Sequence, residues 1–303
     1  MPNLSSQWAD ALDPIVRKWW FQGFARRSSL INTLFNVQTS NRSTEEVSGI
    51  GAISPDAWLN YEKSNVISEA DFNQGYKQTF THKEYPLDFS IERKLMDDSK
   101  HNEILRIPQQ MGDSAALRRE LDAASVFNNA FSGSFTGADA VALCSDSHPY
   151  GPDKTGSVQD NNFALALNKT NLATVREAMM AFTDDNGEIA AVTPNAILVP
   201  PELEDEALVI TRSMNDPDSG NNAINPQSGR FQVIVWHYLT DATAWFVLDT
   251  NLMKMGGLEW YDRAALSVKL RDGDDRTVRA WWRAYMRYSY GWSDWRWCAG
   301  SNT

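Results

Sequence analysis

The stretch DSAALRRELDAASVFNNAF, residues 113–131, sets the frame for the rest of the chain. Leu117, Leu121, Ala124, Phe127 and Phe131 recur at steps of three and four, while Arg118, Arg119, Glu120 and Asp122 fall largely outside that stripe. The pattern is that of an amphipathic helix of about five turns. Asp113 or Ser114 can supply the N-cap oxygen, and Ser132, Gly133 and Ser134 end the pattern in turn-forming residues. His101 to Gln110 can extend the same rod upstream, with a kink or break expected at Pro108. Periodicity by itself asks for no more than a core helix.

The chain has 303 residues, enough for one large domain or two modest ones. Its 42% hydrophobic and 22% charged content is that of a folded chain, not a disordered one. A net charge of −11 argues against a surface built mainly to grip nucleic-acid phosphates. No run approaches the roughly 18 apolar residues of a membrane helix, and the cluster Trp19-Trp20-Phe21 is too short for a secretory signal core. The two cysteines, Cys144 and Cys298, make no disulfide framework, so free thiols and assembly in a cytoplasm are expected. Of 12 tryptophans, Trp236, Trp245, Trp260, Trp281, Trp282, Trp292, Trp295 and Trp297 all follow Phe231. An aromatic excess of this kind is often used at interfaces.

Upstream of the helix, a short helical segment is expected over Asp13 to Phe24, with Pro14 in its first turn. The remainder of the first 45 residues lacks periodicity and reads as an extended arm or a frayed terminus. From Val47 to Glu92 the pattern changes to strands. Tyr85, Leu87, Phe89 and Ile91 alternate with Pro86, Asp88, Ser90 and Glu92, and the segments Tyr76 to Phe80 and Trp58 to Tyr61 are candidate partners. The result is a two-stranded excursion, marginal in water without a partner surface. That surface is either its own domain or a neighbouring subunit.

Downstream, Ser132 to Asn162 is loop-rich, and Leu172, Val175, Met179 and Phe182 share one helix face before the stop Asp184-Asp-Asn-Gly187. Ala196 to Val199 is a short buried strand, and Pro200-Pro201 leads into an acidic helix start at Glu202 to Glu206. Asn215 to Gly229 has a surface-loop composition. Phe231 to Tyr238 and Thr243 to Leu248 then read as a hairpin, as do Ala265 to Leu270 and Thr277 to Tyr290. In the last of these Val278, Ala280, Trp282, Ala284, Met286, Tyr288 and Tyr290 take one face, against Arg279, Trp281, Arg283, Tyr285 and Arg287. The arginines are also four apart, so a helix competes with the strand.

Catalytic patterns are weak. Cys144 and His148 could be a nucleophile and base of a cysteine hydrolase, but no third orienting group is evident. His82, His101, His148 and His237 lack metal-ligand spacing, and there is no glycine-rich phosphate loop. The aromatic and basic tail, Arg276 to Trp297, could stack sugars or single-stranded bases. Its strict alternation favours a strand with one face in the core and one at a subunit contact.

Several blocks together are similar to the major head subunit of Mu-like tailed phages and prophages, within the Hong Kong 97-type capsid fold. These are Leu143-Cys-Ser-Asp-Ser-His-Pro-Tyr-Gly151, the Leu/Ala-rich helix from Asn168 to Asp184, Thr193-Pro-Asn-Ala-Ile-Leu-Val-Pro-Pro-Glu-Leu-Glu204, Ala244-Trp-Phe-Val-Leu-Asp249 and Arg287-Tyr-Ser-Tyr-Gly-Trp292. The likeness runs from about Ser40 to Trp295 and is firmest after Leu143.

This resemblance implies an α+β chain with an N-terminal arm (1–46), an extended β-hairpin loop (47–95), a peripheral domain with a long spine helix (96–192), an axial domain (193–254), and return strands with a tail (255–303). It implies a non-enzymatic shell subunit without a cofactor, closing into pentamers and hexamers around double-stranded DNA in the virion. Assembly would take place in the host cytoplasm. Scaffold and protease would be separate proteins, alongside a portal and decoration proteins. The candidate inter-subunit contacts are Trp58, Tyr61, Tyr76, Phe80 and Tyr85 from the loop, Arg118 and Arg119 from the helix, and Arg279, Arg283 and Arg287 from the last strand. Lys63, Lys77 and Lys83 read as solvated charges, with no basis for a cross-link.

Overall fold

The long helix runs His101–Asn128 and passes through Pro108 without a break in the computed structural model. That model describes residues 8–59, 61–64, 67, 69, 74–98, 101–152, 158–215, 223–271 and 279–303. Asp113 therefore lies inside the helix and is not its N-cap. The buried side also differs from the apolar stripe: Ala116, Glu120, Asp122, Ala123, Ala124, Val126 and Phe127 face inward, while Leu121 is 42% exposed. The alanines let neighbouring elements approach closely, and the two acids have partners. Trp236 Nε1 donates to Glu120 Oε2 at 3.3 Å, and the Tyr288 hydroxyl donates to Asp122 Oδ2 at 2.7 Å. A buried carboxylate is tolerated when it is hydrogen-bonded in this way.

The expected N-terminal arm is in its first part a helix, Trp8–Phe24, with Pro14 in its interior instead of its first turn. Leu12, Val16 and Trp20 are buried at four-residue steps, which gives this segment an apolar stripe to dock. It packs on the long helix at two glycines. A Cβ added to Gly23 would lie 2.0 Å from the Gln109 carbonyl oxygen, and one on Gly112 would lie 2.1 Å from that of Trp20. Trp282 Nε1 donates to Asp13 Oδ1 at 3.0 Å, and Arg27 forks onto both Asp113 oxygens at 2.7 Å.

In chain order the strands among the described residues are β1 (Asn36–Thr39), β2 (Thr44–Ile50), β3 (Gln74–Thr81), β4 (Lys83–Glu92), β5 (His148–Pro149), β6 (Val158–Gln159), β7 (Asn162–Phe163), β8 (Ala196–Val199), β9 (Gln232–Val235), β10 (Trp245–Leu248), β11 (Leu258–Leu270), β12 (Arg279–Trp292) and β13 (Cys298–Ser301). A four-stranded sheet has the order β1-β11-β12-β4. The strand reading of the last hairpin holds, and Ala280, Trp282, Ala284, Met286 and Tyr288 form its buried face. Trp20, Phe89 and Trp282 stack in sequence at 5.4 and 5.5 Å, and Tyr85, Tyr288 and Trp260 stack at 4.8 and 4.7 Å. Aromatic pairs of this geometry add about 0.5–1.5 kcal/mol each beyond their buried area.

The strand Tyr85 to Ile91 does not pair with Tyr76 to Phe80 as expected. Its half-apolar pattern takes β4 to the sheet edge beside β12, while β3 pairs with β2 in a separate two-stranded ribbon. Pro86 is accommodated because β4 has an open edge. Along the β4–β12 register, Arg279, Arg283 and Arg287 stand opposite Glu92, Asp88 and Glu84. All three are ion-paired, with Arg283 to Asp88 at 2.7 Å and Arg287 to Glu84 at 3.6 Å, and Arg271 joins Asp88 at 2.9 Å. Exposed pairs add little stability and are screened by salt, so the ladder chiefly fixes register.

The second sheet has the order β7-β13-β10-β8-β9, so Phe231 to Leu248 is not a hairpin. β8 lies between β9 and β10, parallel to the first and antiparallel to the second. The sequences Ala-Ile-Leu-Val and Trp-Phe-Val-Leu are buried throughout, as central strands covered on both faces should be. Helix Lys169–Met180 is capped by Asn168 and buries Leu172, Val175 and Met179 as anticipated, and helix Glu204–Arg212 packs on β8 and β9. Cys298–Ser301, in the expected C-terminal tail, joins this sheet as β13. In the expected surface loop Asn225 and Gln227 are buried, and Asn225 Nδ2 donates to the carbonyls of Ile210 and Ser213 at the end of that helix. Residues 216–222 of the loop and Val278 lie outside the described residues.

The helix crossing predicts that Gly112→Val lowers stability by about 2–4 kcal/mol, since backbone cannot move aside for a Cβ. Gly133→Ala, where an added Cβ meets nothing within 4 Å, should stay within about 0.5 kcal/mol. Chemical denaturation midpoints of the two variants check the contrast. The ladder predicts a pH effect. Hydrogen bonding and then charge from Arg283, with Arg271 adding to it, hold the Asp88 carboxyl below its ordinary 3.8. Its contribution is complete above that value and is lost as pH falls through the depressed one. Asp88→Asn should therefore flatten part of the midpoint's decline below about pH 4; an unaltered profile would remove Asp88 as a source.

Candidate assembly surfaces

The ribbon of β2 and β3 is registered from Thr44 opposite Thr81 to Ile50 opposite Gln74, with one irregularity after Ser48. No third strand joins it among the described residues. Its base is anchored in the body. Phe80 is buried, its ring lies 5.4 Å from that of Tyr261, and a Cβ on Gly291 would come within 2.9 Å of it. Tyr76 is half-buried and lines a cleft with Val47, Tyr150, Ile189 and Arg296. Beyond the strands the segment 51–59 carries a short turn, Pro55–Ala57, whose N-terminus is capped by Ser54. Trp58 is 87% exposed there, and Ile53, Leu59 and Ile67 are exposed with it. The backbone of Tyr61 begins a single helical turn, Tyr61–Ser64; its side chain lies outside the described residues.

The other candidate contacts are engaged within the chain to different degrees. Tyr85 stacks on Tyr288 and lies under the Arg118 guanidinium at 5.4 Å, while Arg118 pairs with Asp122 and keeps half of its side chain exposed. Burial first, then the Asp122 hydrogen bond, keeps the Tyr288 hydroxyl protonated well above the ordinary tyrosine range. Arg119 forks onto Asp262 at 2.8 and 3.1 Å and sits over the rings of Trp260 and Tyr288 at 4.9 and 5.3 Å. It joins the long helix to the sheet. Arg279, Arg283 and Arg287 form the ladder with β4 on the exposed side of the sheet. Sequence reasoning brings out neither this ladder nor the Arg27–Asp113 fork, although opposite charges at every fourth residue of two alternating strands were the available signal.

The side chains of the candidate catalytic pair, Cys144 and His148, are buried. Cys144 and Cys298 are both buried, and burial, followed by the hydrogen bond that the Cys298 thiol makes to Cys144, pushes the Cys298 thiol well above its ordinary value. The candidate nucleophile Cys144 is 2% exposed. His148 does have an orienting group that the sequence did not reveal, Asp139 Oδ2 at 2.6 Å from Nδ1. The imidazole is nevertheless sealed, with no exposed surface, and stacks on Trp295 at 4.1 Å. Trp292, Trp295 and Trp297 are 3%, 4% and 1% exposed, so these tail aromatics present no platform for sugars or bases. Among the described residues no group of three His, Cys, Asp or Glu could hold a metal, and no helix is long and apolar enough to cross a membrane.

The fold is shared with solved shells. The virus-like particle of Pyrococcus furiosus is similar with a TM-score of 0.57 at 8% identity, over 95% of this chain and 98% of that one. The capsid of bacteriophage JBD30 is similar with a TM-score of 0.58 at 14% identity, over 71% and 92%. The capsid of cyanophage P-SCSP1u is similar with a TM-score of 0.56 at 11% identity, over 91% and 88%. No curated protein matches the sequence. Residues 76–300 match the family model described as phage capsid protein, a span from the ribbon to the last strand. By that match and its Hong Kong 97-type fold, the chain belongs to the phage capsid protein family, as a structural shell subunit and not an enzyme.

Proposed function

We propose that copies of this chain close into pentamers and hexamers of an icosahedral tailed-phage head that holds double-stranded DNA, and that the subunit belongs to the Mu-like group. The observation that carries the assembly reading is the end of the ribbon, where Trp58, Ile53 and Leu59 are exposed among the described residues. A two-stranded ribbon is marginal by itself, and a large apolar end in water marks a contact site. A second copy supplies the cover. Contacts of one patch with a different patch on the neighbour propagate around a ring until it closes.

In this reading Trp58, Tyr61 and Tyr76 touch the neighbour, Tyr85 and Arg118 offer it a half-exposed edge, and Arg279, Arg283 and Arg287 face it along the ladder. Phe80 and Arg119 hold those surfaces in place from within. The order of the blocks from Leu143 to Trp292 supports the Mu-like assignment. Scaffold, protease, portal and decoration proteins would then be separate partners met in the host cytoplasm, and the net charge of −11 would limit adhesion of packaged DNA to the wall.

Trp58→Ala provides the test. The side chain is 87% exposed, so the variant should keep its denaturation midpoint to within about 0.5 kcal/mol. As a central aromatic contact it should cost association about 2 kcal/mol or more per subunit contact, roughly a thirtyfold loss. Light scattering and negative-stain microscopy should show soluble subunits or open fragments where the parent gives closed particles. Normal particle yield from the variant, at parental concentrations, would overturn the role of the ribbon end.

A further inference from the structure

The ribbon leaves and rejoins the body at two points, and one buried side chain spans both. Ser40 lies between β1 and β2, and His82 is the single residue between β3 and β4; they are 3% and 5% exposed. His82 Nε2 is 3.2 Å from Ser40 Oγ, and Nδ1 is 2.9 Å from Oγ of the buried Ser289 on β12. Ser40 Oγ in turn donates to Glu45 Oε1 at 2.5 Å.

The direction of this chain follows from its ends. A carboxylate only accepts, so the one hydroxyl proton of Ser40 goes to Glu45, and Ser40 Oγ must accept from Nε2–H of His82. The backbone N–H of Arg42 donates to the same oxygen at 3.1 Å. Nδ1 is then unprotonated and accepts from the Ser289 hydroxyl. A neutral imidazole of one tautomer satisfies every group. An imidazolium would bring a second N–H against the Ser289 hydroxyl and force that hydroxyl to turn away.

We propose that Ser289, His82, Ser40 and Glu45 form a proton-operated latch at the base of the ribbon, closed while His82 is neutral and released when it is protonated. The charged surroundings favour the closed form. Burial is the largest cause holding the imidazole below its ordinary value, and Arg287 on β12 and Arg263 on β11 act in the same direction against Glu45 on β2. Tyr261 on β11 is pushed up to about 12 by burial and by Glu259 and Glu45, so it stays uncharged beside them. Lys83, the next residue, lies over the Tyr290 ring at 5.9 Å. With the closed-state value lowered, the latch is complete above the ordinary histidine value of about 6.5 and weakens as pH falls below it. Between pH 7.5 and 5.5 the ratio of released to closed ribbon rises by up to about tenfold, the limit for one histidine that takes a proton only when released.

Hydrogen exchange on the full chain tests this, and the outcome does not depend on what the ribbon end touches. After correction for intrinsic exchange, peptides covering 44–50 and 74–81 should exchange up to about tenfold faster at pH 5.5 than at 7.5, with an inflection near 6.5. Peptides from β8 and β10 should not respond. His82→Gln should flatten the ribbon profile. A flat profile in the unaltered chain, an inflection near pH 4 where carboxylates titrate, or an unchanged profile in His82→Gln would each overturn the latch. If His82→Gln does not fold, the position of the inflection in the unaltered chain decides.

Discussion

The contact on which the subunit turns is Arg119. Its guanidinium forks onto Asp262 and lies over Trp260 and Tyr288, so one side chain of the long helix is fixed at once by charge, direction and aromatic area. That anchor sets the rotation of the helix. With Arg119 aimed into the sheet, Asp122 reaches Tyr288 and Glu120 reaches Trp236, and Leu121 is carried outward. A helix docked by its apolar stripe alone would present Leu117 and Leu121 to the sheet, and no room would remain for the close crossing at Gly112.

This explains where the sequence misleads. Strong signals with local causes were legible: the alternation of β12, the all-apolar β8 and β10, the face of Lys169–Met180, and the helix over residues 113–128. The face of that helix was legible only in Ala124 and Phe127, because much of the rest of its seam is alanine and hydrogen-bonded acid, and a hydrophobic pattern scores the acids as solvent-facing. Strand partners were equally hidden. Phe231 to Leu248 has the composition of a hairpin, but β8 lies between the two halves and pairs with one on each edge. The N-terminal helix was legible in Leu12, Val16 and Trp20, but the neighbouring Trp19 and Phe21 obscure the four-residue step.

The candidate contacts differ in how far the chain itself engages them. Arginines on an alternating strand can face a neighbour, and here each also meets an acid of β4 at its own register position. The acids at Glu84, Asp88 and Glu92 recur at four-residue steps like their partners, so the ladder was written in both strands. It could not be assigned because nothing local says that β4 pairs with β12 across nearly two hundred residues of chain. Trp58 is the opposite case. No periodicity surrounds it, and its place in the proposed assembly rests on its exposure among the described residues.

The tryptophans carry the last step. An aromatic excess suggests interfaces, yet Trp20, Trp236, Trp245, Trp260, Trp282, Trp292, Trp295 and Trp297 are all nearly or fully buried within one subunit, whereas Trp58 faces water. The load therefore stiffens the subunit more than it supplies contacts. A closed shell requires this division. Where one patch meets a different patch on the next copy, the angle between copies decides whether the series closes or runs on as an open helix. That angle is only as definite as the body between the two patches. Stacked rings, an interdigitated helix pair and a registered ladder hold the body to one shape.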